Sequence, residues 1–109
     1  MRTFSCPYLE GEVELTDERE KHITETHPDL LPEYLPQIEK TLAEPDEIRK
    51  SDRMDAAKMF CRWFDEVRDG KYIVTVVVSD VATEGTRHWI ITSYISRRLS
   101  NGEVIWNKT

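Results

Sequence analysis

The sequence predicts an α+β protein in which two N-terminal helices pack on a four- to five-stranded antiparallel sheet. Two helical segments come early in the chain, and a run of alternating, β-branched segments joined by short turns follows them. Elements segregated in this way favour an antiparallel sheet with the helices on one face, which leaves the other face partly exposed or in use. The 109 residues suffice for a single domain spanning residues 1–109 with one buried core.

The composition is that of a globular, soluble protein. Hydrophobic residues make up 39% of the chain and charged residues 33%, which excludes a disordered chain. No apolar run approaches the roughly 18 residues of a membrane span, and the N-terminus lacks the apolar region of a signal peptide. Cys6 and Cys61 form no CxxC motif, so we expect reduced thiols in the cytosol.

The charge is unevenly distributed. The net charge is −6, but residues 1–47 carry 13 acidic and 4 basic side chains, whereas residues 48–109 carry 8 and 11. An acidic protein is not an obvious nucleic-acid binder. The basic half can still form a local phosphate-binding surface, because the field near a surface follows the local charge.

The first elements are two short strands and a helix. Arg2–Leu9 is predicted to be short or at a sheet edge, and Glu12–Leu15 alternates like a half-exposed strand. Thr16 is a good N-cap for a helix over Asp17–Thr26. This helix must end before Pro28, which disfavours helical geometry at the residue preceding it.

The first helix carries two of the three histidines. Ile23 is its only large aliphatic residue, and His27 lies four residues later on the same face. His27 should therefore point toward the sheet. His22 lies about 100° away around the helix and should sit at the rim.

The second helix has an amphipathic stripe and the strands follow it. Pro32 suits the first turn of this helix and Pro45 ends it; the stripe is Leu31, Tyr34, Leu35, Ile38 and Leu42. Asp-Gly at 69–70 favours a hairpin, 51–55 reads as a polar turn and 80–86 as a loop. The strands are expected at Glu47–Ser51, Ala57–Phe64, Tyr72–Ser79 (the central strand), Arg87–Ser96 and Val104–Trp106.

The strand over Arg87–Ser96 has one polar face. A period of two places His88, Ile90, Thr92 and Tyr94 on this face and Trp89, Ile91, Ser93 and Ile95 on the face toward the helices. The mixed face suits a concave working surface.

RNA cleavage without metal needs a base for the 2′-hydroxyl, an acid for the leaving 5′-oxygen and a cation for the phosphorane. Histidine, arginine or lysine, and hydroxyl side chains suit these tasks. The candidates are His22, His27, Arg62, Thr92 and Tyr94 as catalytic residues, and Lys71 and His88 as substrate-binding residues.

Each candidate also has a structural interpretation. His27 can cap the helix C-terminus, His22 can be an ordinary surface residue, and Arg62 can form a salt bridge. His88, Thr92 and Tyr94 can be simple strand residues. Two histidines five apart without paired cysteines lack the spacing of a zinc site, and no phosphate loop or nucleophile elbow is present. No metal or cofactor is expected.

Segments across residues 12–106 resemble the small phage- and bacterial-encoded nuclease-like proteins of the barnase–EndoU–colicin–RelE superfamily. The most specific pieces are HIxxxHP at 22–28, LxxPDxI at 42–48, and ITxY at 91–94 followed by GEVxW at 102–106. The resemblance implies a metal-independent endoribonuclease that acts as a toxin or on transfer or messenger RNA. It assigns the site to His22, His27, a basic residue such as Arg62 or Lys71, and Thr92 with Tyr94.

Two other functions stay open. One is a catalytically inactive module that binds protein in a toxin–antitoxin or phage-defence system, where the acidic residues 1–47 would meet an antitoxin or immunity protein. The other is dimerisation through an edge strand at Val104–Trp106. The oligomeric state does not follow from the sequence.

Overall fold

The sheet has seven strands in the order β1-β2-β6-β5-β4-β3-β7. The computed structural model describes residues 1–54 and 56–109. The strands are β1 (Arg2–Cys6), β2 (Gly11–Leu15), β3 (Glu47–Lys50), β4 (Ala57–Phe64), β5 (Lys71–Ala82), β6 (Gly85–Ser96) and β7 (Glu103–Asn107), and the helices are α1 (Asp17–Thr26) and α2 (Leu35–Ala43). A 3₁₀ turn at Pro7–Leu9 joins β1 to β2.

The α+β class is confirmed, but the predicted order and strand number are wrong. The helices are not N-terminal, because β1 and β2 precede them and pair as an antiparallel hairpin along their whole length. This hairpin buries Phe4 and Cys6 from one strand and Val13 and Leu15 from the other. The two short strands were predicted individually, but their apolar alternation is too brief to show that they join the main sheet.

The sheet is mixed rather than purely antiparallel. β2 runs parallel to β6 through the pair Glu14 and Trp89. The Glu14 carboxylate accepts hydrogen bonds of 2.9–3.1 Å from the Arg87 guanidinium beside this pair. The other neighbouring strands are antiparallel, and β5 occupies the middle position as expected.

The first helix has the predicted bounds. The Thr16 side chain accepts a hydrogen bond from the Arg19 backbone N–H at 3.2 Å, and His27 occupies the C-cap position before Pro28. Ile23 is its buried residue. The Arg19 side chain donates to the Ile91 carbonyl at 3.3 Å, so α1 lies beside β6 where β2 no longer pairs with it.

The second helix is shorter than its hydrophobic stripe suggests. It begins at Leu35 with Pro36, not Pro32, in its first turn, and a series of turns covers 28–34. Ile38 and Leu42 are fully buried. Because these side chains lie on one side of α2, the helix packs against β1, β4 and β5.

The predicted loop at 80–86 is mostly strand. β5 continues to Ala82 and β6 starts at Gly85, so only Thr83 and Glu84 form the turn. The polar side chains there are exposed and indicated a loop, but pairing between the strands satisfies the backbone. The predicted polar turn at 51–55 is present over 51–54, and Asp55 lies outside the described residues.

The sheet has an apolar cluster on each face. The larger cluster lies under α2, on the side that we call the helix face, and includes Ile48, Phe60, Phe64, Ile73, Val77 and Ile90. The smaller cluster lies on the opposite side, the outer face, and consists of Ala57, Met59, Cys61, Val74, Val76 and Val78. In the described part of the chain, no helix is long and apolar enough to cross a membrane.

Candidate functional site

The outer face carries an open cleft above three rows of side chains. The strand registers align Met59, Val76 and Thr92 in the first row, Cys61, Val74 and Tyr94 in the second, and Trp63, Tyr72 and Ser96 in the third. A cavity of about 440 Å³ opens over the first row. A smaller one of about 70 Å³ opens over the second, and Tyr94 lines both.

A bulge in β6 places Thr92 and Tyr94 on this face. Val76 pairs with Thr92 but Val77 pairs with Ile90, so Ile91 is the extra residue. The predicted strict alternation was therefore wrong. On the N-terminal side of the bulge the side chains change faces. His88 and Ile90 therefore lie on the helix face, whereas Trp89 and Tyr94 lie on the outer face.

Two loops form the walls of the cleft. The loop after β3 contributes Ser51–Met54, and the loop before β7 contributes Arg98–Asn101. The two loops are joined, because the Asp52 carboxylate accepts from the Gly102 backbone N–H at 3.1 Å and the Asn101 carbonyl accepts from Arg49 at 3.2 Å.

Gly102 permits the close approach of these loops. Its φ of +81° is a left-handed conformation that favours glycine. A Cβ atom at this position would collide with the Lys50 carbonyl and come within 2.8 Å of the Met59 methyl group. The glycine therefore lets β7 start directly against the end of β3.

The cleft has a basic wall. Arg49, Arg53 and Arg98 line the cavities, and Asp52 is the acidic side chain among the described lining residues. The Arg49 guanidinium is neutralised by Glu47 at 2.7 Å. The charge that remains for a bound anion therefore comes from Arg53 and Arg98.

Tyr94 is a protonated hydroxyl donor at neutral pH. Burial raises the pKa of Tyr94 above its ordinary value of about 10; the neighbouring Cys61 adds to this, and Arg53 opposes it. Burial also raises the pKa of the Cys61 thiol to about 12, with Glu47 contributing. The thiol below the cleft therefore stays protonated and unreactive.

His27 lies beside Tyr94, which lines the cleft, although His27 itself is not among the lining residues. The ring centroids of His27 and Tyr94 are 6.2 Å apart, with an angle of 37° between the ring planes. The His27 ring is half-buried, and its backbone N–H donates to the Ile23 carbonyl at 2.7 Å. His22 is exposed. The spacing on α1 therefore predicts correctly that His27 points toward the sheet.

Arg62, Lys71 and His88 are not brought to the cleft. Arg62 lies on the helix face, donates to the Glu44 carbonyl at the end of α2 at 2.6 Å and stacks over Phe64. The Lys71 ammonium donates to the Arg68 carbonyl at 2.8 Å. The His88 Nδ1 atom lies 2.6 Å from the Ser79 hydroxyl.

Most of the cleft residues were not among the sequence candidates, including the polar residues Arg53, Ser96, Arg98 and Asn101. They lie in or beside the two polar loops that flank the alternating strands. The sequence signal for these residues is a basic residue in each of the two loops. Side chains from neighbouring loops converge at one end of a sheet, so two such loops can form a basic wall. Across residues 1–54 and 56–109, no group of three or more His, Cys, Asp or Glu side chains is arranged to hold a metal ion.

These features define a class of protein: a small α+β fold with a cleft on the outer face of its sheet, walled by loop arginines and with a helix-capping histidine beside Tyr94. Residues 7–107 match the sequence model of a family described as phage-Barnase-EndoU-ColicinE5/D-RelE like nuclease 2. The chain belongs to this family. Comparisons with curated proteins and with solved structures gave no match.

Proposed function

We propose that this protein is a metal-independent endoribonuclease that cleaves RNA in the outer-face cleft. The observation that carries the proposal is the contact between His27 and Tyr94, 6.2 Å between ring centroids, at a cleft lined by arginines. Membership in a nuclease-like family supports a phosphodiester as the substrate. The basic cleft also answers the objection raised by the net charge of −6, since the phosphate meets the local field.

The proposed reaction is an internal transfer of the phosphodiester. His27 accepts the proton of the 2′-hydroxyl as its oxygen attacks phosphorus, because an unprotonated imidazole nitrogen can act as a general base. The bond from phosphorus to the 5′-oxygen then breaks, and the Tyr94 hydroxyl gives that oxygen its proton. The products are a 2′,3′-cyclic phosphate and a 5′-hydroxyl. Return of a proton from His27 to Tyr94 restores both groups.

Arg53 and Arg98 stabilise the transition state in this proposal. The phosphorane carries more negative charge on its nonbridging oxygens than the diester, so fixed guanidinium groups favour it over the ground state. Thr92 lies in the row beside Tyr94, and its hydroxyl positions the diester by a hydrogen bond. The proposed reaction does not use His22, which is exposed, or Arg62, Lys71 and His88, whose side chains have hydrogen-bond partners elsewhere.

Product analysis tests the reaction. The protein is incubated with 5′-labelled RNA in the presence of EDTA, and the ends of the fragments are identified. The proposal expects cleavage that resists the chelator and leaves 2′,3′-cyclic phosphate ends. Fragments that end in a 3′-hydroxyl, or cleavage that EDTA abolishes, would contradict it.

We further propose a cytosolic toxin that acts on transfer or messenger RNA and is held by an antitoxin or immunity protein. The phage-related nuclease-like family supports this role. The acidic face of α1, with Asp17, Glu18 and Glu25 exposed, supports a basic partner. Growth arrest on expression of the wild type but not of a His27→Ala variant would agree with the toxin role, and equal growth would contradict it.

The second candidate function is an inactive module that binds protein. The exposed edge strand β7 favours it, since Val104, Ile105 and Trp106 are 37–42% exposed and strand edges pair readily with other chains. The product analysis separates the two functions, because the module would leave RNA intact.

A further inference from the structure

The outer face of the sheet continues beyond the cleft into an aromatic pair, exposed Trp63 and half-buried Tyr72. Trp63 and Tyr72 face each other in the third row of the outer face, next to the row that carries Tyr94. Two residues along a strand advance by about 7 Å. The rings therefore lie one row beyond the proposed reacting phosphate, on the same side of the sheet.

Trp63 is exposed and yet held in place. Its side chain remains 41% exposed, while the indole N–H donates to the Asp65 carboxylate at 2.8 Å and the backbone N–H donates to Asp46 at 2.7 Å. The Tyr72 ring packs edge-to-face against it, with centroids 5.1 Å apart and planes at 78°.

The hairpin after β4 closes around the same ring. Gly70 has a φ of +96°, and a Cβ atom there would come within 2.7 Å of the Trp63 ring. The ring is thus fixed by a hydrogen bond, an aromatic neighbour and a glycine contact. A fixed ring loses little conformational entropy when a flat ligand stacks on it.

The other tryptophans do not offer this combination. The Arg87 guanidinium lies over the Trp89 ring, 5.1 Å from its centroid. Trp106 is 37% exposed, but it pairs with Ile48 and lies on the helix face. In the described chain, Trp63 is the exposed tryptophan that shares a face with the cleft.

We propose that Trp63, backed by Tyr72, is a stacking subsite for an unpaired nucleobase next to the phosphate held at Tyr94. Single-stranded RNA displays bases that stack on aromatic side chains. In a duplex the bases are already stacked and paired, so the ring cannot reach their faces. The subsite therefore selects single-stranded segments of RNA over helical ones. This inference rests on the proposed function, because it places the base relative to a phosphate in the cleft.

Binding of an uncleavable RNA tests the subsite apart from catalysis. A labelled 2′-O-methyl single-stranded oligonucleotide has no free 2′-hydroxyl, so anisotropy reports its Kd without cleavage. Trp63→Ala is expected to raise the Kd about tenfold, the size of one lost base–aromatic stack. Trp63→Phe, which keeps a ring, should stay close to the wild type. Trp106→Ala is the matched control on the opposite face and should leave the Kd unchanged.

A second arm tests the choice of substrate. The wild type should bind the single strand more tightly than a duplex of the same sequence, and Trp63→Ala should lose most of this difference. Thermal melting of each variant checks that it is folded. If Trp63→Ala fails to fold, Trp63→Phe is compared with Trp63→Leu instead. Weaker binding of the single strand is then expected for Trp63→Leu alone.

The outcomes separate the subsite from the proposed function. If the wild type cleaves RNA but Trp63→Ala binds as well as the wild type, the subsite is overturned, the exposed ring is assigned to a protein contact, and the cleavage site stands. Equal losses in Trp63→Ala and Trp106→Ala would also overturn it. If the wild type neither cleaves nor binds RNA, the proposed function fails and the subsite with it.

Discussion

The Tyr94 and His27 side chains show how burial and the end of a helix set the properties and position of single residues. Burial raises the pKa of Tyr94, so its hydroxyl keeps its proton at neutral pH. His27 reaches this ring because the helix ends at Pro28 and turns the C-cap residue toward the sheet. The position of His27 could be predicted from its spacing to Ile23. Its partner could not be fixed, because the bulge at Ile91 decides which side chains of β6 share a face.

His88 supplies a test of pH dependence at the residue scale. Burial lowers the pKa of His88, and Lys58 lowers it further. Below the ordinary pKa of about 6.5, His88 binds a proton more readily in the unfolded chain than in the folded one. Protonation therefore favours unfolding, and the free energy of unfolding decreases as the pH falls. Denaturant unfolding gives the free energy of unfolding at pH 7.5 and 5.5. The decrease between these two pH values should be smaller for His88→Gln than for the wild type. An equal decrease in both proteins would show that His88 does not contribute to the pH dependence of stability.

The elements explain where sequence patterns succeed and fail. α1 and β4 have the predicted bounds, since an N-cap, a proline and strict alternation act locally. The pairing of β2 with β6 depends on contacts between residues 14 and 89, which no local pattern reveals. Arg62 alternates correctly onto the same face as Phe64, but only the packing of α2 shows that this face is covered.

Arg62 tests the distinction between a helix anchor and a catalytic cation. Arg62→Ala removes the hydrogen bond to the Glu44 carbonyl and should lower the free energy of unfolding by about 1–2 kcal/mol. Its activity per folded molecule should equal that of the wild type. Arg53→Ala changes an exposed residue of the cleft wall. It should lower the activity per folded molecule and leave the free energy of unfolding unchanged. Lost activity at unchanged stability in Arg62→Ala would place Arg62 in the site after all.

At the scale of the whole molecule, an acidic protein has a cleft with a basic wall. The sequence shows the excess of basic residues over 48–109, but not that Arg53 and Arg98, 45 residues apart along the chain, line two cavities that share Tyr94. Residues in loops have no periodicity, so their convergence depends on the tertiary fold. The fold class could be predicted from the order of the elements, whereas the cleft walls could not.

The salt dependence of RNA binding tests this charge distribution. Two phosphate contacts on a single strand predict a slope of about −1.4 for log K against log salt concentration. Arg53→Gln and Arg98→Gln should each reduce the slope by about 0.7. Anisotropy titrations with the 2′-O-methyl oligonucleotide over a range of salt concentrations provide the measurement. A slope that both variants leave unchanged would place the phosphates elsewhere on the molecule.

The central claim is that His27, and not His22, acts at the cleft beside Tyr94. The most direct measurement compares RNA cleavage in EDTA by the wild type, His27→Ala and His22→Ala at matched thermal stability. We expect His27→Ala to lose about 10²–10⁴-fold in rate, as for a general acid–base group, while His22→Ala cleaves at the wild-type rate. Unchanged cleavage by His27→Ala, or an equal loss in both variants, would contradict the assignment.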